Sequence, residues 1–348
     1  NQTYDGTSAD WIQIETDIAA SIARTMARSF SPGTATPATR DAEAHALYLQ
    51  ARYFWNQRNF AAELKSVDLM QQAIARDPNY ALAWAGLADS LAVIGDNEEV
   101  VRPADYMPRA RDAALKALQL DPSLAEAHAV LGMVLCHHDY NWPAADREYK
   151  RAFELNPSYA NAHQYYALGL MAHGRFAEAR QQLETAHRLD PLALIVDVDT
   201  AVLLKYQRNY DGVIAESKQI LQKDPNYFLG YSMLAAGYFC EHRWDDWRAV
   251  DAKVPQDDFI RALVNGHPDQ ARLDMDKGIA EVAAGQRKPY RIMWAALQLG
   301  DRSAALDWLE KSYENRDYWL LFINVDPEMD PIRSDPRFQA IIHRIGVG

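Results

Sequence analysis

The sequence predicts an all-α solenoid, and three observations predict it. Asp-Pro or Asn-Pro recurs at Pro78, Pro122, Pro157, Pro191 and Pro225, with spacings of 44, 35, 34 and 34 residues. The offsets within each interval repeat too. Leu87, Leu131, Tyr166, Thr200 and Leu234 stand nine residues after each proline, and the small residues Ala88, Gly132, Ala167, Ala201 and Ala235 stand ten after it. Apolar residues such as Ala179, Leu183 and Ala186 then follow at helical spacing. A fixed period with a small residue at one offset describes a two-helix unit that cannot bury its apolar face alone, so it stacks on copies of itself. Proline cannot continue the preceding helix and suits the first turn of the next.

Each element follows from its own residues. Residues 1–30 contain "ADWIQIETDIAASIARTMARSF", an amphipathic helix with the stripe Trp11, Ile14, Ile18, Ile22 and Met26. Residues 31–40, "SPGTATPATR", form a linker of small polar residues with two prolines. The repeat array runs over 41–255. Its first unit is 42–77, and the 44-residue interval holds an insertion, "DNEEVVRPADYM", expected as a longer loop with Pro103 and Pro108. Gly95 and Gly174, seventeen residues after their prolines, mark expected helix ends. The 191–224 unit carries Asp197 where the other units place Trp84, His128, His163 and Tyr231, and Arg208 where glycine is expected, so it reads as a looser copy. Residues 256–316 are two degenerate units, the first with a shortened opening helix. Residues 317–348 break the period and read as the cap that covers the apolar end of an array.

The segments "ALAWAGLADSL" (81–91), "AEAHAVLGMVL" (125–135) and "ANAHQYYALGL" (160–170) resemble the tetratricopeptide repeat family. The resemblance implies a right-handed superhelix of about seven to eight helix pairs, with a flanking N-terminal helix and a C-terminal capping segment. It also implies that the first helices line a concave groove that holds peptides. The groove positions of that family include Met133, His137, Gln164, Leu168, Met171, Val202, Tyr206 and Phe239 here. This lining is mostly apolar and suits a hydrophobic or amphipathic peptide. Family members that clamp a C-terminal carboxylate use Lys and Asn at these places, and only Asn161 and Lys205 meet that pattern. The groove is either open to a partner or filled by the chain itself, through the N-terminal helix or the next superhelical turn. The two ends, "TYDGTSADWIQIETDIAASIARTM" and "DYWLLFINVDPEMDPIRSDPRF", are similar to the segments flanking the repeats of large bacterial regulatory proteins. Their output modules are winged-helix domains, nucleotide cyclases or Ser/Thr kinases. This implies the sensor or interaction portion of a signalling or transcription-regulating protein, cytoplasmic or on the periplasmic side of a membrane-anchored regulator. The alternatives are an accessory subunit of an enzyme or envelope complex, and a small-ligand sensor using an apolar pocket in the groove.

Composition narrows the function classes. The net charge is −12 with no Lys/Arg-rich run, which argues against binding along a nucleic-acid backbone. Two cysteines, Cys136 and Cys240, give neither a disulfide framework nor a four-ligand metal site. The longest apolar stretch, "LALIVDVDTAVLL", is interrupted by Asp197 and Asp199, so no membrane span is expected. The chain begins with Asn1, which reads as a product of processing or a piece of a longer protein. Phosphate loops, nucleophile elbows and metalloprotease motifs do not occur. His137, His138 and His173 are the only tempting ligands, and helix-end positions explain His138 and His173 without a metal. The expectation is a binding scaffold, with no catalytic centre, cofactor or metal.

Overall fold

The computed structural model describes residues 39–97, 101–254 and 258–348. The expected N-terminal helix and almost all of the linker lie outside the described residues. Among the described residues the chain is an all-α solenoid of eight successive helix pairs and a tail, with no strand. The pairs are α1 (Ala42–Trp55) with α2 (Phe60–Arg76), α3 (Ala81–Asn97) with α4 (Pro103–Leu120), and α5 (Ala125–His137) with α6 (Trp142–Leu155). Then come α7 (Ala160–Ala172) with α8 (Phe176–Leu189), α9 (Leu194–Tyr206) with α10 (Tyr210–Lys223), and α11 (Phe228–Cys240) with α12 (Trp244–Val250). The last pairs are α13 (Asp258–Val264) with α14 (Pro268–Ala283) and α15 (Pro289–Gln298) with α16 (Arg302–Asn315). The tail holds two 3₁₀ turns, Tyr318–Phe322 and Pro327–Met329, and a final helix, α17 (Pro336–Ile345).

The small repeat residues lie where the two helices of a pair meet. Ala88, Ala167 and Ala201 are fully buried. A Cβ on Gly132 would stand 2.9 Å from Tyr149 Cε1 of the partner helix α6, so only a missing side chain lets α5 and α6 approach this closely. The residue six after each proline tethers its own helix start. Trp84 Nε1 donates to the Pro78 carbonyl (2.9 Å), His128 Nε2 to that of Pro122 (3.2 Å), His163 Nε2 to that of Pro157 (2.9 Å) and Tyr231 Oη to that of Pro225 (3.2 Å). These positions therefore need a ring with a hydrogen-bond donor. Asp197 is the exception. Its carboxylate accepts from Lys223 Nζ at 2.6 Å and pairs with His187 Nδ1 at 2.9 Å.

The turn between the two helices of a pair asks for a left-handed residue. Gly174 (φ +67°) and Gly300 (φ +79°) supply it without strain. Arg208 (φ +59°) and His242 (φ +55°) take the same conformation at a cost of about 1 kcal/mol each. The hydrogen bonds repeat whichever residue is used: Gly174 N to Met171 O at 2.9 Å, Arg208 N to Lys205 O at 2.9 Å, His242 N to Phe239 O at 3.1 Å. This Schellman-type closure satisfies the last helical carbonyls. Gly95 departs from the expectation. Helix α3 runs through it to Asn97, and a Cβ there would meet Met107 and Tyr106 of α4 at 3.2–3.3 Å, so this glycine serves close packing and ends nothing. The insertion also departs from it. Helices α3 and α4 have 17 and 18 residues against 13 and 14 in the next pair, and Pro108 lies inside α4. The extra residues lengthen both helices, with 98–100 outside the described residues.

The superhelix closes upon itself. Tyr165 Oη on α7 donates to Asp89 Oδ1 on α3 at 2.6 Å, and Asp89 also takes Arg52 of α1 at 3.1 Å. Lys288 Nζ, just before α15, donates to the Asp96 carbonyl of α3 at 3.0 Å. The last of these contacts ties the start of the final pair to the second pair, and the tail shares one core with the inner faces of α5, α7 and α9.

Candidate functional site

The inner face is built by α5, α7, α9 and α11, whose successive turns carry the expected groove residues. Seven of those eight are buried. Met133, Leu168 and Met171 belong to one continuous core with Tyr318, Leu320, Leu321, Phe322 and Ile323 of the tail. His137 pairs through Nδ1 with Asp96 Oδ2 at 2.6 Å, and its ring centre lies 5.3 Å from that of Tyr318. Gln164 Nε2 donates to Asp199 Oδ2 at 2.7 Å. Val202 is buried, and the Tyr206 ring stacks on Phe322 with centres 5.3 Å apart. Phe239 is half-buried, between Trp244 (5.5 Å) and Trp294 (5.7 Å).

The tail therefore does more than cover the last helix pair: it fills the middle of the groove. Its start is pinned by Asp317, which is fully buried and accepts from Tyr290 N (2.9 Å) and Ser312 Oγ (2.7 Å); burial pushes its carboxyl above the usual range. The Arg316 guanidinium donates to the His138 carbonyl and sits 5.2 Å above the Tyr140 ring. At the far end, His173 Nε2 donates to the Gly346 carbonyl at 3.2 Å. With its Nδ1 against the Gly169 carbonyl at 2.8 Å, His173 is a strut between α7 and the tail. Among the described residues no group of three or more His, Cys, Asp or Glu is arranged to hold a metal ion.

Beside the tail, part of the inner face stays open. A cavity of about 400 Å³ lies between α9, α11, α12, α15 and the tail, within the range of ligand pockets. Its walls include Val202, Tyr206, Phe239, Trp247, Tyr290, Trp294 and Trp319. Its origin is local. Helix α12 ends after seven residues and α13 is equally short, and both line the cavity, through Trp247 and Ile260. Trp319 stands at the rim with 39% of its surface exposed, while Trp247 and Tyr290 are buried.

The pocket floor is charged. Lys205 Nζ pairs with Glu328 Oε2 at 2.5 Å and Asp326 Oδ2 at 3.4 Å, and Trp294 Nε1 donates to Glu328 Oε1 at 2.8 Å. Burial pushes the Asp326 carboxyl up, whereas Lys205 overcomes burial and holds Glu328 down. The two carboxylates in turn keep the Lys205 ammonium charged against its burial. Burial, then Glu328, pushes the Cys240 thiol up to about 12, and burial raises the Cys136 thiol as well, so neither is an activated nucleophile. The arrangement offers the shape, the aromatic walls and the few polar groups of a ligand-binding pocket.

Repeat offsets lead to Val202, Tyr206 and Phe239. Tyr290 and Trp294 stand 126 residues after Gln164 and Leu168, the same offset that separates Gly300 from Gly174, so the register extends to them; it does not extend to Trp319, Asp326 or Glu328, which come from the tail, where the period has failed. The only signal for the tail residues was the unusual aromatic and Asp-Pro content of "YWLLFINVDPEMDP".

No family model matches the chain, and no curated protein matches it in sequence. Among solved structures it is similar to human IFIT1, in a dimer with m7Gppp-AAAA, at 10% identity and a TM-score of 0.55; the match covers 87% of this chain and 77% of that one. Yeast Tom70 matches over 99% of this chain and 79% of its own, at 14% identity and a TM-score of 0.47. A TPR protein of Thermus thermophilus, TTC0263, matches at 19% identity and a TM-score of 0.40, over 56% of this chain and 93% of that one. At these identities the likeness is one of fold, a tetratricopeptide-like helical solenoid. Among the described residues no helix is long and apolar enough to cross a membrane.

Proposed function

We propose that the chain is a protein- or peptide-binding scaffold whose partner enters through the open end of the inner face. The observation that carries this reading is the cavity beside Phe239, where aromatic side chains line a space that repeat stacking would otherwise fill. Interface energy concentrates in a few large side chains seated in such pockets. Val202, Tyr206 and Phe239 are then the contact residues of the original groove set, while Met133, His137, Gln164, Leu168 and Met171 support the tail. An apolar peptide segment suits the walls. The IFIT1 structures hold m7Gppp-AAAA or PPP-AAAA. Here Lys205 is already spent on two carboxylates and the chain carries −12, so nucleic acid is not the ligand we propose.

The similarity of both chain ends to the segments flanking repeats in bacterial regulators supports a finer reading. On it, the scaffold is the sensor or interaction portion of a signalling or transcription-regulating protein. A free small molecule in the same cavity is the second reading, favoured by the cavity volume. Panning a random peptide library on the purified chain tests the proposal. Enriched peptides should lose at least about 1 kcal/mol of affinity on Phe239→Ala and little on Lys150→Ala of the outer helix α6. Peptides indifferent to Phe239 would overturn the placement.

A further inference from the structure

We propose that the pocket between α9, α11, α15 and the tail recognises an organic cation, an alkylammonium group flanked by apolar surface. The inference rests on reading this cavity as the binding site, and it names the chemistry that enters. Rings come first. Trp294 and Trp319, with Phe239 between the α11 and α15 walls, present aromatic surface that is only partly covered. The face of an aromatic ring, and of Trp above all, attracts a cation through its quadrupole, and the attraction grows as water is excluded. The pocket already shows this preference, because the Arg291 guanidinium lies 6.0 Å from the Trp294 ring centre.

Charge supplies the second argument. Five charged side chains line the cavity: Lys205, Asp251, Arg291, Asp326 and Glu328. Asp251 is held by Arg261 at 2.7 Å, and Arg291 has a partner of its own. Lys205 lies between two carboxylates, Asp326 and Glu328, and Arg291, which also lowers Glu328, is the other cation of the lining. The neighbouring groups feel these carboxylates more strongly than they feel Lys205. After burial itself, Asp326 raises the hydroxyls of both Tyr206 and Tyr290 more than Lys205 lowers them, and Glu328 does the same at the Cys240 thiol. The floor therefore favours a positive guest, and its carboxylate oxygens retain lone pairs for an ammonium donor. A neutral apolar guest of the same shape meets the walls equally well and gains nothing from the floor.

The cation has two possible sources, a small free ammonium compound or a lysine in a docking peptide, and calorimetric titration of the purified chain separates them. One arm compares choline with its uncharged tert-butyl isostere. The other compares a library-selected peptide bearing lysine with the same peptide bearing norleucine. The charged member of at least one pair should bind about tenfold more tightly than its neutral twin. Glu328→Gln should shrink that ratio. Because this change also disturbs Lys205, Trp319→Leu at the exposed rim serves as the second variant, and it should shrink the ratio while leaving thermal unfolding unchanged. Equal affinity within both pairs, or no binding of either cation, overturns the inference. Peptides that bind through Phe239 without any charge preference would sink it and leave the scaffold reading standing. Choline binding with no peptide capture would support it and sink the peptide reading.

Discussion

Replacing Asp199 by Asn should stabilise the protein, and only above acid pH. Asp199 is 7% exposed on α9 and accepts one hydrogen bond, from Gln164 Nε2. Burial raises its carboxyl to about 7, with Gln164, Arg58 and His137 pulling against that rise. The Gln164 Oε1 atom is buried without a partner. A protonated Asp199 has a hydroxyl to offer that oxygen, and an ionised one does not, so the local hydrogen bonding agrees with the neutral form. In the unfolded chain the same carboxyl titrates near 3.9. The sign follows: the native state holds a proton that the unfolded state has released, so raising pH through this window costs native stability, and the full cost is present above about 7. It amounts to about 4 kcal/mol at about pH 8 and less than about 2 kcal/mol at about pH 5. Asparagine presents the same shape, an acceptor for Gln164 Nε2 and a donor for its oxygen, and never ionises. Urea unfolding of both proteins at these two pH values measures the difference. The variant should be the more stable by about 2–3 kcal/mol further at the higher pH than at the lower. A stability gap that does not change with pH would show that Asp199 is ionised in the folded protein and that the hydrogen-bond argument is wrong.

Phe322→Ala removes a ring that is 1% exposed and stacked on Tyr206, and should cost about 3–5 kcal/mol. Hydrogen exchange should then speed up together in the tail and in α5, α7 and α9, whereas unchanged exchange in those helices would mean the tail does not support the groove. Gly132→Ala drives a Cβ to 2.9 Å from Tyr149 and should destabilise by about 1–3 kcal/mol in thermal unfolding, despite the better helix propensity of alanine. Ala167→Leu at the equivalent, fully buried place should behave alike.

The repeated units were legible because the constraint on each is local. Proline, a small residue ten positions later and an apolar run at helical spacing all act within one helix pair or between neighbours, and the period multiplies the signal. Where a local rule has more than one physical solution, the reading failed. Glycine seventeen residues after proline is a turn residue at Gly174 and a packing residue at Gly95, and Arg208 shows that the turn itself can be made without glycine. The insertion went into helix length because α3 and α4 stay apolar enough to keep packing over the extra turn, with Met107 fully buried between them.

The candidate site was half legible for a related reason. Val202, Tyr206 and Phe239 could be placed on the inner face because their register is inherited from the repeat. What faces them is set by contacts more than a hundred residues away along the chain, Tyr206 against Phe322 and Lys205 against Asp326 and Glu328. Nothing periodic records such a pairing. The Asp-Pro at Asp326 even imitates the punctuation of the units, yet here it starts a 3₁₀ turn in which Asp326 accepts from Glu328 N at 3.0 Å while its other oxygen meets Lys205. That short turn holds two carboxylates on one lysine at the floor of an aromatic pocket. The same dipeptide that separates helices elsewhere thus provides the charge on which the pocket's choice of ligand depends.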